Sequence, residues 1–169
     1  MLIYKSRVFD LYTTNVGSRQ VPFEYVGHRG SCAALILNPN EEIGLLPHTR
    51  PAIGKTLFEL PAGTLDLELS SEDTMIQELK EEAGLCISKQ QIRRLTSLYT
   101  SPGYTSELLA LFLVRLRKEQ ASGNESLRWF SLDELGKLIC KEQIVDMKTV
   151  AAISLYQALP WEENLDESA

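Results

Sequence analysis

The chain has 169 residues, of which 44% are hydrophobic and 24% are charged, as expected for one globular domain over residues 1–169. Its 17 basic and 23 acidic residues give a formal net charge of −6, which argues against a broad phosphate-binding face for nucleic acid. The N-terminus lacks the apolar segment of a signal peptide, and the longest apolar run, Leu108–Val114, is far shorter than the ~20 residues that span a bilayer. We therefore expect a cytoplasmic protein with neither a nucleic-acid partner nor a membrane partner.

The cysteines indicate the same compartment. Cys32, Cys86 and Cys140 are scattered, lie among apolar neighbours and show no CxxC spacing. Because one of them would stay unpaired in any intramolecular scheme, we expect three buried free thiols in a reducing cytosol.

Short β-rich segments separated by turn signals run through the chain. The predicted strands are Val21–Val26, Cys32–Leu37, Glu42–His48, Leu57–Leu60, Leu95–Tyr99, Leu108–Leu116 and Arg128–Phe130. Between the last two strands, Lys118–Ser126 is predicted to be a polar loop. Further helices are expected from about Asp133 and over about Met147–Leu159, followed by an acidic tail at 161–169 that we expect to fray.

A mid-chain helix is predicted over Thr74–Ala83, where apolar residues recur at a spacing of four. Ser70 with Asp73 gives this helix a start similar to a capping box, and Gly84 is well placed to end it. The apolar stripe consists of Met75, Leu79 and Ala83. Strands mixed with a few helices predict an α/β or α+β sandwich, with this helix packed on a sheet.

Three carboxylates share one face of the mid-chain helix. Glu78, Glu81 and Glu82 stand at i, i+3 and i+4, a spacing at which like charges repel. A divalent cation would reverse this repulsion, and hard oxygen ligands suit Mg²⁺ or Mn²⁺ better than zinc. Acidic triplets are also common on solvated helix faces, so the triplet alone leaves both interpretations open.

The segment upstream of the helix favours the cation site. A predicted strand runs into Pro61-Ala62-Gly63, and a loop leads from there to the acidic helix. At Gly63 the backbone can come near a phosphate because no side chain intervenes. The exposed carbonyl of Ala62 would then complete the ligand shell of the cation.

These segments together resemble the Nudix family, whose box reads G-x5-E-x7-R-E-U-x-E-E-x-G-U, with U an aliphatic residue. The positions in register are Gly63, Glu78, Leu79, Glu81, Glu82, Gly84 and Leu85. Two positions depart from the box: Leu69 replaces its first Glu, and Gln77 replaces its Arg, which in the family helps to orient the glutamates. The resemblance implies a Nudix fold, in which mixed β-sheets are sandwiched between helices and N-terminal strands are antiparallel.

Further segments narrow the resemblance to the ADP-ribose pyrophosphatase-like group. Arg50 followed by P-A-I-G, and then E-L-P-A-G at Glu59–Gly63, is similar to its pattern. S-P-G-Y-T-S-E at Ser101–Glu107 resembles its S-P-G-x-[ST]-[SD]-E loop, and I-V-D-M-K-T at Ile144–Thr149 resembles its I-x-D-x-K-T helix entry. These matches cover the chain from about residue 20 to residue 158.

The resemblance implies roles for the residues that match. Glu78, Glu82 and the Ala62 carbonyl would bind Mg²⁺, with Mn²⁺ as the other candidate. Glu81 would be catalytic, either as a further ligand or by positioning metal-bound water.

Other matching residues would meet the substrate. Arg50 would clamp two phosphate oxygens, although an isolated Arg also commonly forms a surface salt bridge. Glu59 would contact the substrate or brace the turn. The residues expected to shape the pocket near the terminal ribose, for which an ordinary turn is the alternative, are Ser101, Pro102, Gly103 and Glu107.

The general base of the family comes from an acidic loop before the strand that matches Arg128–Phe130. That loop often carries two acids close together, whereas here Glu125 has Gly123 two places before it. Glu125 is therefore the expected catalytic base or a further metal ligand, and a solvated loop residue is the alternative. Glu119 is a distant substitute.

The expected activity is Mg²⁺-dependent hydrolysis of ADP-ribose to AMP and ribose 5-phosphate. Two alternatives stay open: another nucleoside diphosphate sugar as substrate, or a nucleotide-binding module that has lost turnover. Members of the group are typically homodimers, which implies that residues 1–27 contact a second copy. His28 and His48 show no metal-ligand spacing, so both are interpreted as structural or surface residues.

Overall fold

The computed structural model describes residues 1–6, 9–17, 21–122 and 124–159. Its strands are β1 (Leu2–Lys5), β2 (Asp10–Thr14), β3 (Phe23–Gly27), β4 (Ser31–Leu37), β5 (Ile43–Arg50), β6 (Lys55–Glu59), β7 (Ala62–Thr64), β8 (Ile92–Tyr99), β9 (Leu108–Arg115) and β10 (Arg128–Phe130). Its helices are α1 (Ser71–Ala83), α2 (Lys118–Ala121), α3 (Leu132–Cys140) and α4 (Met147–Ala158), and a 3₁₀ turn occupies Lys89–Gln91. The predicted acidic tail at 161–169 and Gly123 lie outside the described residues.

A seven-stranded mixed sheet forms the body of the domain. Its main path runs β10-β5-β4-β9-β8, while β6 pairs with β5 and β7 pairs with β4. Within this sheet β4 and β9 are parallel, and the other pairs are antiparallel. The central strand β4 is buried along its whole length, which explains its nearly continuous apolar sequence.

Alternate side chains of β4 contribute to two separate cores. Leu35 and Leu37 pack in a core that includes residues of α3 and α4. Ala34 and Ile36 pack in a second core that includes the apolar stripe of α1. Helices therefore cover both faces of the sheet, and the predicted sandwich of mixed sheet and helices is confirmed.

The helix that carries the acidic triplet is capped at both ends. Ser70 is its N-cap and accepts a hydrogen bond from the Asp73 amide at 3.1 Å. Gly84, with φ of +64°, ends it as predicted, in a left-handed conformation that favours glycine. The helix begins at Ser71, three residues before the predicted start, because its first turn is polar and lacks the apolar spacing on which the prediction relied.

The N-terminal strands form a separate three-stranded sheet. Its order is β1-β2-β3, and both pairs are antiparallel as predicted. The Val26 amide donates to the Tyr104 carbonyl at 2.8 Å, and the Ser106 amide donates to the Val26 carbonyl at 3.0 Å. This sheet is thereby joined to the loop before β9, while every residue of its edge strand β1 is exposed.

Two of the three cysteines contradict the prediction of buried thiols. Cys32 is buried in β4, but Cys86 and Cys140 are exposed. Both exposed cysteines lie at or just beyond the C-terminal ends of helices, Cys86 after α1 and Cys140 at the end of α3. Apolar neighbours in sequence do not imply burial at either position. Cys86 is exposed next to the buried Leu85 in the segment after α1, and at Cys140 successive residues of α3 point in different directions.

The short helix α2 corrects the prediction of a continuous polar loop over Lys118–Ser126. The amides of Ala121 and Ser122 donate to the carbonyls of Arg117 and Lys118 and close its single turn. The described helices have 13 residues or fewer, and none of them is long and apolar enough to cross a membrane.

Candidate active site

The Pro61-Ala62-Gly63 segment, called the Pro-Ala-Gly turn below, leads from β6 into β7 and supplies the first two residues of β7. It is fixed from two sides. The Ala34 amide donates to the Pro61 carbonyl at 3.1 Å, which anchors the turn to the central strand. The Leu60 amide donates to Oγ1 of Thr149 at 3.0 Å, which anchors it to the first turn of α4. The backbone of this turn is therefore held between the sheet and a helix that comes late in the chain.

Two glutamates of α1 meet this turn. Oε2 of Glu82 accepts a hydrogen bond from the Ala62 amide at 3.1 Å. The Gly63 backbone lies against Glu78, since a Cβ atom built on Gly63 would be 2.0 Å from Oε1 of that carboxylate. Both glutamates predicted as metal ligands thus lie at the turn. It is the Ala62 amide that contacts Glu82, and the ligand role of the Ala62 carbonyl stays a prediction.

The three carboxylates of α1 repel one another. Burial, followed by the charges of Glu82 and Glu81, raises the pKa of Glu78. In the part of the chain that the structure describes, no three His, Cys, Asp or Glu side chains converge closely enough to hold a metal ion as they stand. A divalent cation bound by these carboxylates would offset the repulsion among them. The oxygen donors fit Mg²⁺ or Mn²⁺.

Arg50 forms an ion pair at the same end of the sheet. Its Nε donates to Oε1 of Glu59 at 2.8 Å, and a terminal nitrogen donates to Oε2 at 2.6 Å. Lys148 also donates to Oε2 of Glu59. Burial works to raise the pKa of Glu59, but the hydrogen bonds and charges of Arg50 and Lys148 outweigh burial and lower this pKa to about 2. Glu59 is therefore ionised, and its contacts fit the bracing role that was one of its two predicted roles.

His48 lies between the arginine and the acidic helix. Its Nδ1 is 3.4 Å from a terminal nitrogen of Arg50, and its Nε2 is 3.5 Å from Oε1 of Glu82. The sequence-based interpretation of His48 as a structural or surface residue missed this position. The sequence does contain one indication of this position. His48 precedes Arg50 by two residues on the same strand, and residues two apart on a strand point to the same face of the sheet.

The chain matches the model of the NUDIX domain over residues 27–151. It belongs to the Nudix hydrolase family. An "ADP-ribose pyrophosphatase" of Bacillus subtilis and a "Methanol dehydrogenase activator" of Bacillus methanolicus are each 30% identical to it, and each alignment covers 92% of this chain and 88% of the relative. A solved structure described as an "ADP compounds hydrolase" is 19% identical, with a TM-score of 0.68, and the match covers 93% of this chain and 89% of that chain.

These comparisons confirm that the chain is a Nudix hydrolase with a Nudix fold, and they confirm its predicted likeness to the ADP-ribose pyrophosphatase-like group. Members of the family act on small nucleoside diphosphate compounds and generally need a divalent metal ion. The matched residues 27–151 include the Pro-Ala-Gly turn, the acidic face of α1 and the loop before β9.

The two departures from the Nudix box lie on or near α1. Gln77, which replaces the Arg of the box, donates from Nε2 to Oε1 of Glu81 at 2.7 Å. A neutral amide therefore orients Glu81 here and leaves its charge uncompensated. Leu69, which replaces the first Glu of the box, is exposed before the helix begins.

The S-P-G-Y-T-S-E loop precedes β9 and is built around Glu107. Its carboxylate accepts hydrogen bonds from Oγ of Ser31 at 2.6 Å and from Oγ1 of Thr100 at 2.8 Å. The loop residues Ser101–Gly103 lie in and beside a tight turn in which the Ser101 carbonyl accepts from the Tyr104 amide. The Glu107 carboxylate contacts the side chains of Ser31, Thr100 and His28, and a role of this loop in binding the terminal ribose stays a prediction.

Glu125, the expected base, lies near the C-terminal end of α1. It lines a depression together with Ala83, Gly84 and Glu119. Nδ2 of Asn124 donates to the Ala83 carbonyl at 2.8 Å and so ties this loop to the end of the helix. The lining of the depression does not include the three glutamates of the acidic face, and the catalytic role of Glu125 stays a prediction.

Proposed function

We propose that this Nudix hydrolase cleaves the diphosphate of ADP-ribose to give AMP and ribose 5-phosphate, in a reaction that needs Mg²⁺, with Mn²⁺ as a substitute. The observation that carries the proposal is the contact of two carboxylates of the acidic face, Glu78 and Glu82, with the Ala62-Gly63 backbone. Support for the substrate comes from the relative named ADP-ribose pyrophosphatase, which aligns with 92% of this chain.

The positions of Glu78, Glu82 and Glu81 support the roles proposed for them. Glu78 and Glu82 hold the cation at the turn, with the Ala62 carbonyl as a further ligand. Mg²⁺, when bound, neutralises charge on the diphosphate and lowers the pKa of water. Glu81, oriented by Gln77, positions the attacking water.

Two further residues handle the diphosphate and the proton. The guanidinium of Arg50 binds two phosphate oxygens through bidentate hydrogen bonds. The water oxygen attacks one phosphorus, the bridging P–O bond breaks, and each product leaves with one phosphate group. Glu125 accepts the proton that the water loses.

The test is AMP release from ADP-ribose at millimolar Mg²⁺, compared with a panel of other nucleoside diphosphate sugars. We expect release in the wild type and its loss in Glu82→Gln. Glu72→Gln serves as the matched control, because it makes the same change in the first turn of α1. If another member of the panel is hydrolysed faster, that compound and not ADP-ribose is the preferred substrate. Binding of ADP-ribose without hydrolysis of any compound would instead identify a binding module.

We further propose that the protein is a homodimer in which the N-terminal sheet contacts a second copy. The exposed edge strand β1 supports this, because its residues Leu2, Ile3 and Tyr4 leave apolar surface and unpaired backbone groups in solvent. Light scattering after size-exclusion chromatography would measure the mass. A monomeric mass at micromolar concentration would contradict the proposal.

A further inference from the structure

Two cationic side chains share one buried carboxylate beside the proposed site. The Glu59 side chain is 1% exposed, that of Lys148 is 14% exposed, and that of Arg50 is 44% exposed. Arg50 and Lys148 both contact Oε2 of Glu59. Arg50 therefore approaches the carboxylate from the solvent side, while Lys148 contacts it from the protein interior.

The pairing of Arg50 limits what this residue can do. Its Nε and one terminal nitrogen both bond to Glu59, so two of the donors that would grip a phosphate are already occupied. To hold a diphosphate with the same donors, Arg50 has to release Glu59. An ionised carboxylate that is 1% exposed would then need another partner, because a buried charge without one is strongly disfavoured.

Lys148 is held where it can be that partner. Its Nζ lies 3.0 Å from Oδ1 of Asp146, the N-cap of α4. Oδ2 of Asp146 in turn accepts from the amide of Thr149 at 3.0 Å and from its hydroxyl at 2.6 Å. Because Oγ1 of Thr149 also accepts from the Leu60 amide at 3.0 Å, the first turn of α4 fixes Lys148 relative to the strand that carries Glu59.

We propose that Lys148 is a positioning residue for substrate binding, which keeps Glu59 paired while Arg50 moves from Glu59 to a substrate diphosphate. The inference rests on the proposed function and adds the residue that permits the exchange. Lys148 acts through Glu59 and does not contact the substrate, since its ammonium group is directed at two carboxylates.

The test compares four variants by the KM and kcat of ADP-ribose hydrolysis. In Lys148→Met, Arg50 is the only remaining cationic partner of Glu59 among the described residues, so we expect KM to rise about tenfold or more with a smaller change in kcat. Lys148→Arg restores a cation and should recover most of the loss. Lys137→Met is the matched control, because Lys137 forms an exposed ion pair with Asp133 on α3.

The double variant Lys148→Met/Glu59→Gln separates the proposed role from the alternatives. With a neutral side chain at position 59, Arg50 is no longer retained, and KM should return towards the wild-type value. If the double variant binds no better than Lys148→Met, Lys148 contacts the substrate directly and the proposal is wrong. An unchanged KM in Lys148→Met also overturns it. If Lys148→Met does not fold, the KM of the double variant is compared with that of the wild type. A KM close to the wild-type value supports the proposal, and a KM that stays raised contradicts it.

Affinity for ADP, measured by calorimetry, distinguishes failure of this inference from failure of the proposed function. A wild type that binds ADP without hydrolysing any substrate contradicts the proposed function, while the ratio of ADP affinities between variants still tests Lys148. If the wild type hydrolyses ADP-ribose and the Lys148 variants do not differ from it in KM or in affinity for ADP, the proposed function stands and the inference about Lys148 is wrong. A wild type that neither hydrolyses ADP-ribose nor binds ADP overturns both.

Discussion

The Gly63 backbone lies so close to Glu78 that a side chain at position 63 would displace the Glu78 carboxylate. A Cβ atom on Gly63 would lie 2.0 Å from Oε1 of Glu78 and 2.1 Å from its carboxyl carbon, well inside the separation of nonbonded atoms. The turn and the acidic helix are therefore fitted to each other at the carboxylate proposed to bind the cation. This contact gives a physical reason for glycine at the first position of the Nudix box.

Replacing Gly63 by alanine should therefore displace Glu78. Misplacement of a catalytic group by about 1 Å can cost on the order of 10²-fold in rate, and we expect a loss of kcat of that order in Gly63→Ala. The control is Gly136→Ala in α3, where no atom lies within 4 Å of the added methyl group. Steady-state kinetics of both variants measure the effect. A Gly63→Ala variant within about twofold of wild type would contradict the assigned position of Glu78 in catalysis.

The raised pKa of Glu78 predicts how metal and pH affect stability. A carboxyl whose pKa is raised in the folded state stabilises the protein below its ordinary value of 4.5, and this stabilisation is lost as the pH rises through the folded-state pKa. At neutral pH without metal, ionised Glu78 therefore destabilises the fold. Glu78→Gln should raise the Tm in EDTA by about 1–3 °C, since each like-charge pair costs a few tenths of a kcal/mol.

In Mg²⁺ the wild type should have a higher Tm than Glu78→Gln, the reverse of the order expected in EDTA. The wild type should gain Tm on titration with Mg²⁺, because a ligand that binds only the folded state stabilises it. Glu78→Gln should gain much less. Thermal melts at neutral pH, with and without Mg²⁺, measure both effects. A variant that is less stable than the wild type in EDTA would show that repulsion does not dominate at this site.

The parts of the structure that were predictable depend on local sequence patterns. The β-rich run of Cys32–Leu37 identifies the strand β4, and the spacing of four in Thr74–Ala83 identifies the buried stripe of α1. The helix spacing puts Glu78 and Glu82 on one face of α1, and the resemblance to the Nudix box implies that they lie near Gly63. These patterns determine which face of an element is buried and which residues of one helix lie side by side.

The residues that were missed come together only through long-range pairing. Lys148 lies 89 residues from Glu59 in sequence, and they meet because α4 docks against the end of β6. His48 meets Glu82 because β5 passes beside the acidic face of α1. Neither contact has a local signature. The sequence motif around Lys148 was recognised as a helix entry, but only the docking of α4 shows that it braces Glu59.

The exposure of the cysteines predicts their reactivity. Cys86 and Cys140 are exposed, whereas burial, reinforced by the nearby charges of Glu78 and Glu82, raises the pKa of Cys32 to about 12 despite its hydrogen bond to the Gly63 carbonyl. A thiol reagent should therefore label two cysteines in the native protein and the third only after denaturation, since the thiolate is the reactive form. Mass spectrometry of labelled peptides identifies the sites. Labelling of Cys32 in the native protein would contradict its burial.

The hydrogen bond from Gln77 to Glu81 predicts that this departure from the Nudix box is functional. Gln77→Leu removes the donor and should lower kcat about twofold, because an exposed i,i+4 side-chain hydrogen bond on a helix contributes about 0.2–0.5 kcal/mol. Gln77→Arg restores a donor to Glu81 and should retain activity. Gln157→Leu, which makes the same change at an exposed position of α4, controls for general effects of a helical leucine. Single-turnover kinetics separate the chemical step from product release. Equal rates in wild type and Gln77→Leu would show that Glu81 does not need this orientation, and Glu81 would then have no supported catalytic role.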